Sequence, residues 1–236
     1  MPHLSRNDIE AIARRIIRAY NRLPGIEKTE RRIHPKMLIT DLLGLSIEHY
    51  SLSVEGRILG LTACGEIEVP VFDDPENPQY VHLDGKTVLI DKNLISEGAN
   101  VGRYHFTLIH EACHQIFKML FPRDYLPEIA CRCVHYCSPF HNKGADYWEE
   151  WRTNALTSAV LMPEEMVRLN MVSFGLGHRL RMLNWVFFAE EYQRFSDMAE
   201  YMGVSKRALA IRLKQLELLE EDHLQDPYVL DGVVNK

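Results

Sequence analysis

The chain has 236 residues, of which 46% are hydrophobic and 25% charged, and its formal net charge at pH 7 is −6. These values are ordinary for a globular protein with one sizeable core, or with a core and an appendage. The negative net charge argues against a surface dominated by nucleic-acid binding, and no apolar run is long enough to span a bilayer.

The N-terminal region predicts an amphipathic helix rather than an export signal. Apolar residues recur at helical spacing from Ile9 to Leu23, and Ser5 or Asn7 is the expected N-cap. Four arginines stand between the apolar positions: Arg14, Arg15, Arg18 and Arg22. Such a helix could lie on a membrane, but we favour packing on the domain. Without an export signal we expect a cytoplasmic protein whose five cysteines stay reduced.

A short helix and then a small antiparallel sheet are predicted next. Residues 36–43 favour a helix that ends at Gly44. Five β-like runs follow, at residues 47–54, 58–63, 67–72, 80–83 and 87–91. Asp84-Gly85 lies between the last two runs and is typical of a tight hairpin turn. From residue 100 onward the pattern is mainly helical, so the predicted fold class is α+β, with a sheet edge that could pair with an extended polypeptide.

An H-E-x-x-H motif, His110-Glu111-Ala112-Cys113-His114, lies inside an apolar run. The i, i+4 spacing places both imidazoles on one face of a helix, one turn apart, so that they can bind one metal ion. The motif is typical of zinc metalloproteases, in which the glutamate acts as general base. The alternative is a chance motif on a solvated helix. We rank it lower because an apolar helix rarely carries three polar side chains without a use.

A catalytic zinc site needs a third protein ligand. Residues 148–163 predict a second helix that ends at a proline, and a glutamate on this helix, such as Glu150, is the best candidate. Spacing alone does not exclude Glu149 or Asp146, and taken alone Glu149 and Glu150 are a pair of solvated carboxylates. Asn154, one turn after Glu150, is expected to orient a ligand.

The segment between these two helices gathers metal-binding residue types: Cys131, Cys133, His135, Cys137 and His141. Thiolates and imidazoles at close spacing could bind a second zinc, but C-x-C-x3-C is not a common zinc spacing and no second pair of cysteines completes it. We favour free buried thiols in a loop over the cleft. A redox switch that involves Cys113 is a third interpretation.

Residues 195–216 resemble a helix-turn-helix. Ala199 and Gly203 have the small-residue spacing that lets two helices cross closely, and Ser205 is the expected cap of the second helix. Four cations would decorate that helix: Lys206, Arg207, Arg212 and Lys214. DNA contact is one interpretation. We favour packing or docking of a protein, because the acidic residues between Glu217 and Asp222 weaken attraction to phosphates.

Two segments together resemble the ImmA/IrrE family of metallo-endopeptidases. The run from Arg103 to His114 is similar to the family's R-x-x-F-T-[IL]-A-H-E-L-G-H. The run from Glu150 to Pro163 is similar to its E-x-x-A-N-x-F-A-x-x-L-L-M-P. The resemblance is strongest over residues 85–165, and two motifs in the family's order are much more specific than H-E-x-x-H alone.

The chain departs from the family pattern at three positions and in one spacing. Cys113 replaces a glycine, Thr153 an alanine and Leu156 a phenylalanine. These are small or apolar exchanges that remove no chemical group the mechanism needs. The stretch from His114 to Glu150 is also longer than usual, which affects the expected shape of the cleft more than the chemistry.

The resemblance implies that His110, His114 and Glu150 bind zinc and that Glu111 is the catalytic acid/base. Residues 1–175 would form a zincin-like core with a small antiparallel sheet and active-site helices, and residues 176–236 a helical region. The implied activity is zinc-dependent cleavage of a protein substrate, a transcriptional repressor often encoded beside the protease in a mobile element or stress regulon. That cleavage would derepress genes.

The expected mechanism needs a donor to the oxyanion of the reaction, and four side chains of the intervening segment are candidates: His135, Tyr136, His141 and Tyr147. Two alternatives remain for the function. One is a catalytically silent scaffold, which an intact Glu111 disfavours. The other is a DNA-binding regulator that acts through residues 196–216, although neither nucleic acid nor membrane is an expected partner.

Overall fold

The computed structural model describes residues 4–27, 29–124, 134–136 and 146–228, with side chains from 4–27, 29–124 and 148–228. These residues form a mixed α+β structure with small sheets, which confirms the predicted class. The chain divides into two compact units, one of Met1–Lys28 with Ile33–Leu161 and one of Thr29–Arg32 with Met162–Lys236. Our division of the chain after residue 175 stays a prediction.

The helices of the first unit begin with α1, Arg6–Tyr20, whose N-cap is Ser5. The Ser5 hydroxyl accepts from the Asp8 backbone and the Asp8 carboxylate accepts from the Ser5 backbone, a reciprocal capping box. The other helices are α2 (Pro35–Met37), a π-helical turn (Leu38–Leu42), α3 (Val101–Leu120) and α4 (Asp146–Leu161). The apolar face of α1 is buried and the helix packs against α4, so packing on the domain is confirmed.

The first unit contains a four-stranded sheet in the order β1-β5-β2-β6 and a separate two-stranded sheet. Its strands are β1 (Ser46–Tyr50), β2 (Gly60–Ala63), β3 (Glu66–Val71), β4 (Gln79–Asp84), β5 (Thr87–Asp91) and β6 (Val134–Tyr136). β2 is antiparallel to both β5 and β6, whereas β1 is parallel to β5. The prediction of a wholly antiparallel sheet is therefore wrong in its β1 pairing.

The predicted hairpin at Asp84-Gly85 is also wrong. The chain does turn at Gly85, whose φ is 75°, but β4 pairs with β3, while β5 lies between β1 and β2. Burial explains the difference. All residues of β5 are buried, so this strand occupies the centre of the larger sheet, whereas β4 exposes most of its side chains.

The helix that carries the H-E-x-x-H motif packs on this sheet. α3 contacts β2 and β5, and its N-cap is Asn100, whose side chain accepts from the backbone of Arg103. The buried amide of Gln115 donates to the Thr62 hydroxyl and to the Ala63 carbonyl, both at 2.7 Å. These two bonds attach the helix to a side chain and to the main chain of β2, one residue from the end of the motif.

The second unit is not only helical. Its helices are α5 (Glu164–Ser173), α6 (Ala189–Tyr201) and α7 (Lys206–Gln215), and β7 (Leu180–Leu183) pairs in parallel with β8 (Leu219–Asp222). The Ser205 side chain accepts from the backbone of Ala208, so the predicted cap of α7 is confirmed. Of the helices in the described residues, none is long and apolar enough to cross a membrane.

Arg212 does not decorate the surface of α7, and that part of the prediction is wrong. Its side chain is buried, at 2% exposure, and its Nε donates to the carbonyl of Met162 at 2.9 Å. Position 212 shares the buried side of α7 with Leu209 and Leu213, so the cation is used inside the unit. Arg207, by contrast, is exposed.

Replacing Arg212 with methionine is expected to lower the free energy of unfolding by about 1–3 kcal/mol, because the Met162 carbonyl loses a buried donor. Arg207→Met removes the same charge from an exposed position and should change stability by less than about 0.5 kcal/mol. Urea titrations followed by circular dichroism compare the two variants. Equal effects would mean that the Arg212 bond does not stabilise the unit.

Candidate metal centre

Three polar side chains converge between α3 and α4. The Nε2 atoms of His110 and His114 are 3.3 Å apart. Glu150 Oε2 lies 3.3 Å from His110 Nε2, and Glu150 Oε1 lies 3.5 Å from His114 Nε2. Both imidazoles are buried and the Glu150 side chain is 14% exposed. The structure thus brings together the three residues that the sequence predicts as ligands.

The separations within this group suit a metal ion. A tetrahedral ion with bonds of about 2.0–2.1 Å holds its ligand atoms about 3.3–3.4 Å apart. The three measured separations, 3.3, 3.3 and 3.5 Å, agree with that spacing. Two imidazole nitrogens and one carboxylate oxygen also form a donor set found in catalytic metal sites with one open position. The cluster can therefore bind a metal ion.

Glu111 provides a second indication that a cation belongs here. Its side chain is fully buried, and neither of its carboxylate oxygens has a hydrogen-bond partner among the described residues. Burial raises the pKa of the Glu111 carboxyl well above its usual range, and the negative charge of Glu150 raises it further. Two carboxylates that repel each other in a buried site are costly unless a positive charge offsets them. A cation held by the three ligands would do so.

Gly60 on β2 lets the sheet approach Glu111. The sequence patterns above did not single out this glycine. A Cβ at position 60 would stand 2.8 Å from both Cγ and Oε1 of Glu111, and 2.7 Å from Cγ2 of Thr107. Real Cβ atoms do not approach other atoms this closely, so only glycine fits without a shift. The signal was present, because a glycine inside an apolar strand run often marks a close approach of another element.

Replacing Gly60 with alanine is expected to lower the free energy of unfolding by about 1–3 kcal/mol, since the added methyl overpacks the contact with Thr107 and Glu111. The cost should shrink when the same change is made beside Glu111→Ala, which removes two of the three crowded atoms. Urea unfolding of the four proteins in this double-mutant cycle measures the coupling. Strictly additive effects would show that position 60 and Glu111 do not meet.

A thiol and two threonines are buried at the interface between α3 and α4. Cys113 is fully buried and hydrogen-bonds Thr157, whose hydroxyl donates to the Thr153 carbonyl at 2.8 Å. Burial raises the pKa of the Cys113 thiol to about 12. A thiol that stays protonated is a poor nucleophile, whereas the proposed redox switch of the cysteine segment lies outside the described residues and stays a prediction. Cys113, Thr153 and Leu156, the three departures from the family pattern, are all buried packing positions.

The two neighbouring glutamates on α4 lie beside different nitrogens of the histidines. Glu150 reaches the Nε2 atoms of both histidines, whereas Glu149 Oε1 lies 3.8 Å from Nδ1 of His114, on the far side of that ring. This geometry favours Glu150 over Glu149 as the third ligand. Asn154 makes no side-chain hydrogen bond to the described residues, so its orienting role stays a prediction.

Several predicted residues lie outside the described part of the chain. They are Cys131, Cys133, Cys137 and His141, together with the side chains of His135, Tyr136, Asp146 and Tyr147. Of these, His135 and Tyr136 have their backbone in β6, paired with β2. The interpretations of the cysteine segment and the choice of an oxyanion donor therefore stay predictions.

Comparison of the sequence with models of known protein families and with curated proteins gives no match. The chemistry of the centre follows from its residues. They are the two buried imidazoles of His110 and His114, the Glu150 carboxylate that reaches both, and the buried carboxylate of Glu111. Such a cluster is compatible with a metal-dependent hydrolase.

Proposed function

We propose that this protein is a zinc-dependent endopeptidase of the ImmA/IrrE type. His110, His114 and Glu150 are its metal ligands and Glu111 is its catalytic acid/base. The observation that carries the proposal is the convergence of the three ligand atoms at tetrahedral spacing, with the Glu111 carboxylate buried against β2 in the same helix turn. The order of the two family-like segments, one on α3 and one on α4, supports it independently.

Zinc is a metal that suits this donor set. Two imidazoles and one carboxylate in tetrahedral array are a common catalytic zinc set, whereas calcium and magnesium prefer sites made of oxygen ligands. When bound, the ion would act as a Lewis acid that polarises the scissile carbonyl and makes water a stronger acid.

Glu111 performs the proton transfers in the proposed reaction. Its carboxylate takes a proton from the attacking water, whose oxygen adds to the carbonyl carbon of the substrate. The carbon–nitrogen bond then breaks and the same carboxyl gives the proton to the leaving amine. The buried position of Glu111 keeps bulk water from competing for that proton.

The proposed substrate is a protein, and the family-like segments suggest a transcriptional repressor whose cleavage derepresses genes. We propose that this takes place in the cytoplasm. DNA contact by the second unit has less support. Of its four expected cations, Arg212 is buried, Lys206 lies over the Tyr192 ring, and Lys214 Nζ is 3.7 Å from Asp222. Packing or docking of a protein remains our proposal for this unit.

The proposal is tested with the full-length protein, a diverse peptide library and mass spectrometry of new termini. We expect cleavage in the presence of zinc, loss of cleavage on addition of a chelator, and recovery when zinc is restored. A protein that binds one zinc but cleaves no peptide in the library would favour the silent scaffold. A protein that cleaves equally well after complete removal of the metal would contradict the proposed mechanism.

A further inference from the structure

We propose that Glu149 is a positioning residue that orients the imidazole of His114 for metal binding, an inference that rests on the metal site proposed above. His114 meets a carboxylate at each of its ring nitrogens. Glu150 Oε1 is 3.5 Å from Nε2, and Glu149 Oε1 is 3.8 Å from Nδ1. Two successive residues in the first turns of α4 therefore face opposite sides of one ring.

The chemistry of an imidazole ligand explains why the far nitrogen needs an acceptor. A histidine that binds a metal through Nε2 carries its proton on Nδ1, and that proton is usually donated to a carboxylate, a carbonyl or water. The His114 side chain has no exposure, so bulk water does not reach it. Within the described residues, the carboxylate of Glu149 lies on that side, and at 21% exposure it keeps contact with solvent.

The separation of 3.8 Å is longer than a charge-assisted hydrogen bond, which measures about 2.7–2.9 Å, so the inference requires the Glu149 carboxylate to move toward the ring when the metal binds. The main chain of Glu149 is held independently, because its carbonyl accepts from the Thr153 hydroxyl at 2.9 Å. The carboxylate can therefore be changed without removing the bond that secures this turn of α4.

His110 shows that the arrangement is specific to one ligand. Among the described residues, His110 has a carboxylate beside its Nε2 atom, that of Glu150, and none beside its Nδ1 atom. Its ring is instead stacked on Phe106, with ring centroids 6.3 Å apart and planes inclined by 29°. Packing orients the first histidine of the motif, and we infer that a carboxylate orients the second.

The test compares Glu149→Ala and Glu149→Gln with the unchanged protein, using zinc affinity measured by competition with a chromogenic chelator. We expect Glu149→Ala to weaken zinc binding about 10–100-fold while the protein still binds one ion. Glu149→Gln keeps an acceptor oxygen and should retain more of the affinity. Glu97→Ala, which removes an exposed carboxylate of the same unit, should leave the affinity unchanged. The absorption of bound cobalt(II) reports distortion of the site in each variant.

Three results would overturn the inference: wild-type affinity in Glu149→Ala, equal losses in the alanine and glutamine variants, or a lower unfolding midpoint of the metal-free alanine variant. A lower unfolding midpoint would show that Glu149 stabilises the fold and does not act by orienting His114. Failure of the proposed metal site is recognised separately, because the unchanged protein would then bind no zinc there, and failure of the proposed activity is recognised by a protein that binds zinc but cleaves no peptide.

Discussion

Replacing Glu150 with alanine is expected to abolish stoichiometric zinc binding. Glu150 supplies the only carboxylate that reaches the Nε2 atoms of both histidines within the described residues. Without it, two imidazoles remain, which is one ligand fewer than catalytic zinc sites use. The loss of affinity should exceed the roughly 10–100-fold that removal of an outer-sphere partner costs. Zinc per chain, measured after purification without chelator, should fall from one to well below one.

Glu97→Ala is the matched control, since it removes an exposed carboxylate from the same unit and should leave one zinc per chain. One zinc retained by Glu150→Ala would place the metal elsewhere and contradict the assigned ligands. Two zinc ions in the unchanged protein, of which one survives the substitution, would indicate a separate structural site at Cys131, Cys133 and Cys137. If the unchanged protein binds no zinc even after zinc is supplied, the result would favour the catalytically silent scaffold.

Replacing Glu111 with glutamine is expected to lower kcat/KM by about 10²–10⁴-fold, the usual contribution of a positioned acid/base. Glutamine has nearly the same shape, so it still fits against Gly60, but it neither takes a proton from water nor gives one to the leaving amine. The variant should still bind one zinc, because Glu111 is not among the three converging ligands. Steady-state cleavage of a peptide found in the library measures the effect.

A metal measurement on the same preparation separates lost chemistry from lost metal. Glu97→Gln, which makes the same chemical change at an exposed position, should cleave like the unchanged protein. Undiminished cleavage by Glu111→Gln would remove Glu111 from the mechanism. A large loss of zinc in this variant would instead show that Glu111 helps to hold the ion.

The residues of the centre could be predicted from local pattern because helical periodicity is a property of sequence. A spacing of four puts His110 and His114 on one face wherever the helix forms, and the apolar run around them predicts a buried helix. The second helix and Glu150 were also within reach of the sequence. Glu149 and Glu150 are adjacent, however, so their spacing to the histidines differs by one residue. Only the packing of α4 on α3 shows which carboxylate reaches which nitrogen.

The features that the sequence did not predict depend on contacts between residues far apart in the chain. A glycine turn at Gly85 predicts that the chain reverses, but it does not predict which strands pair. Pairing depends on which strand is buried on both faces, and in this protein that strand is β5. The environments of Gly60 and Arg212 likewise come from distant partners, Glu111 and Met162. The sequence by itself determined the helices and the set of polar residues available for the site. The tertiary structure decided strand pairing and which histidine nitrogen each carboxylate of α4 lies beside, because burial and side-chain contact are set by elements that meet only on folding.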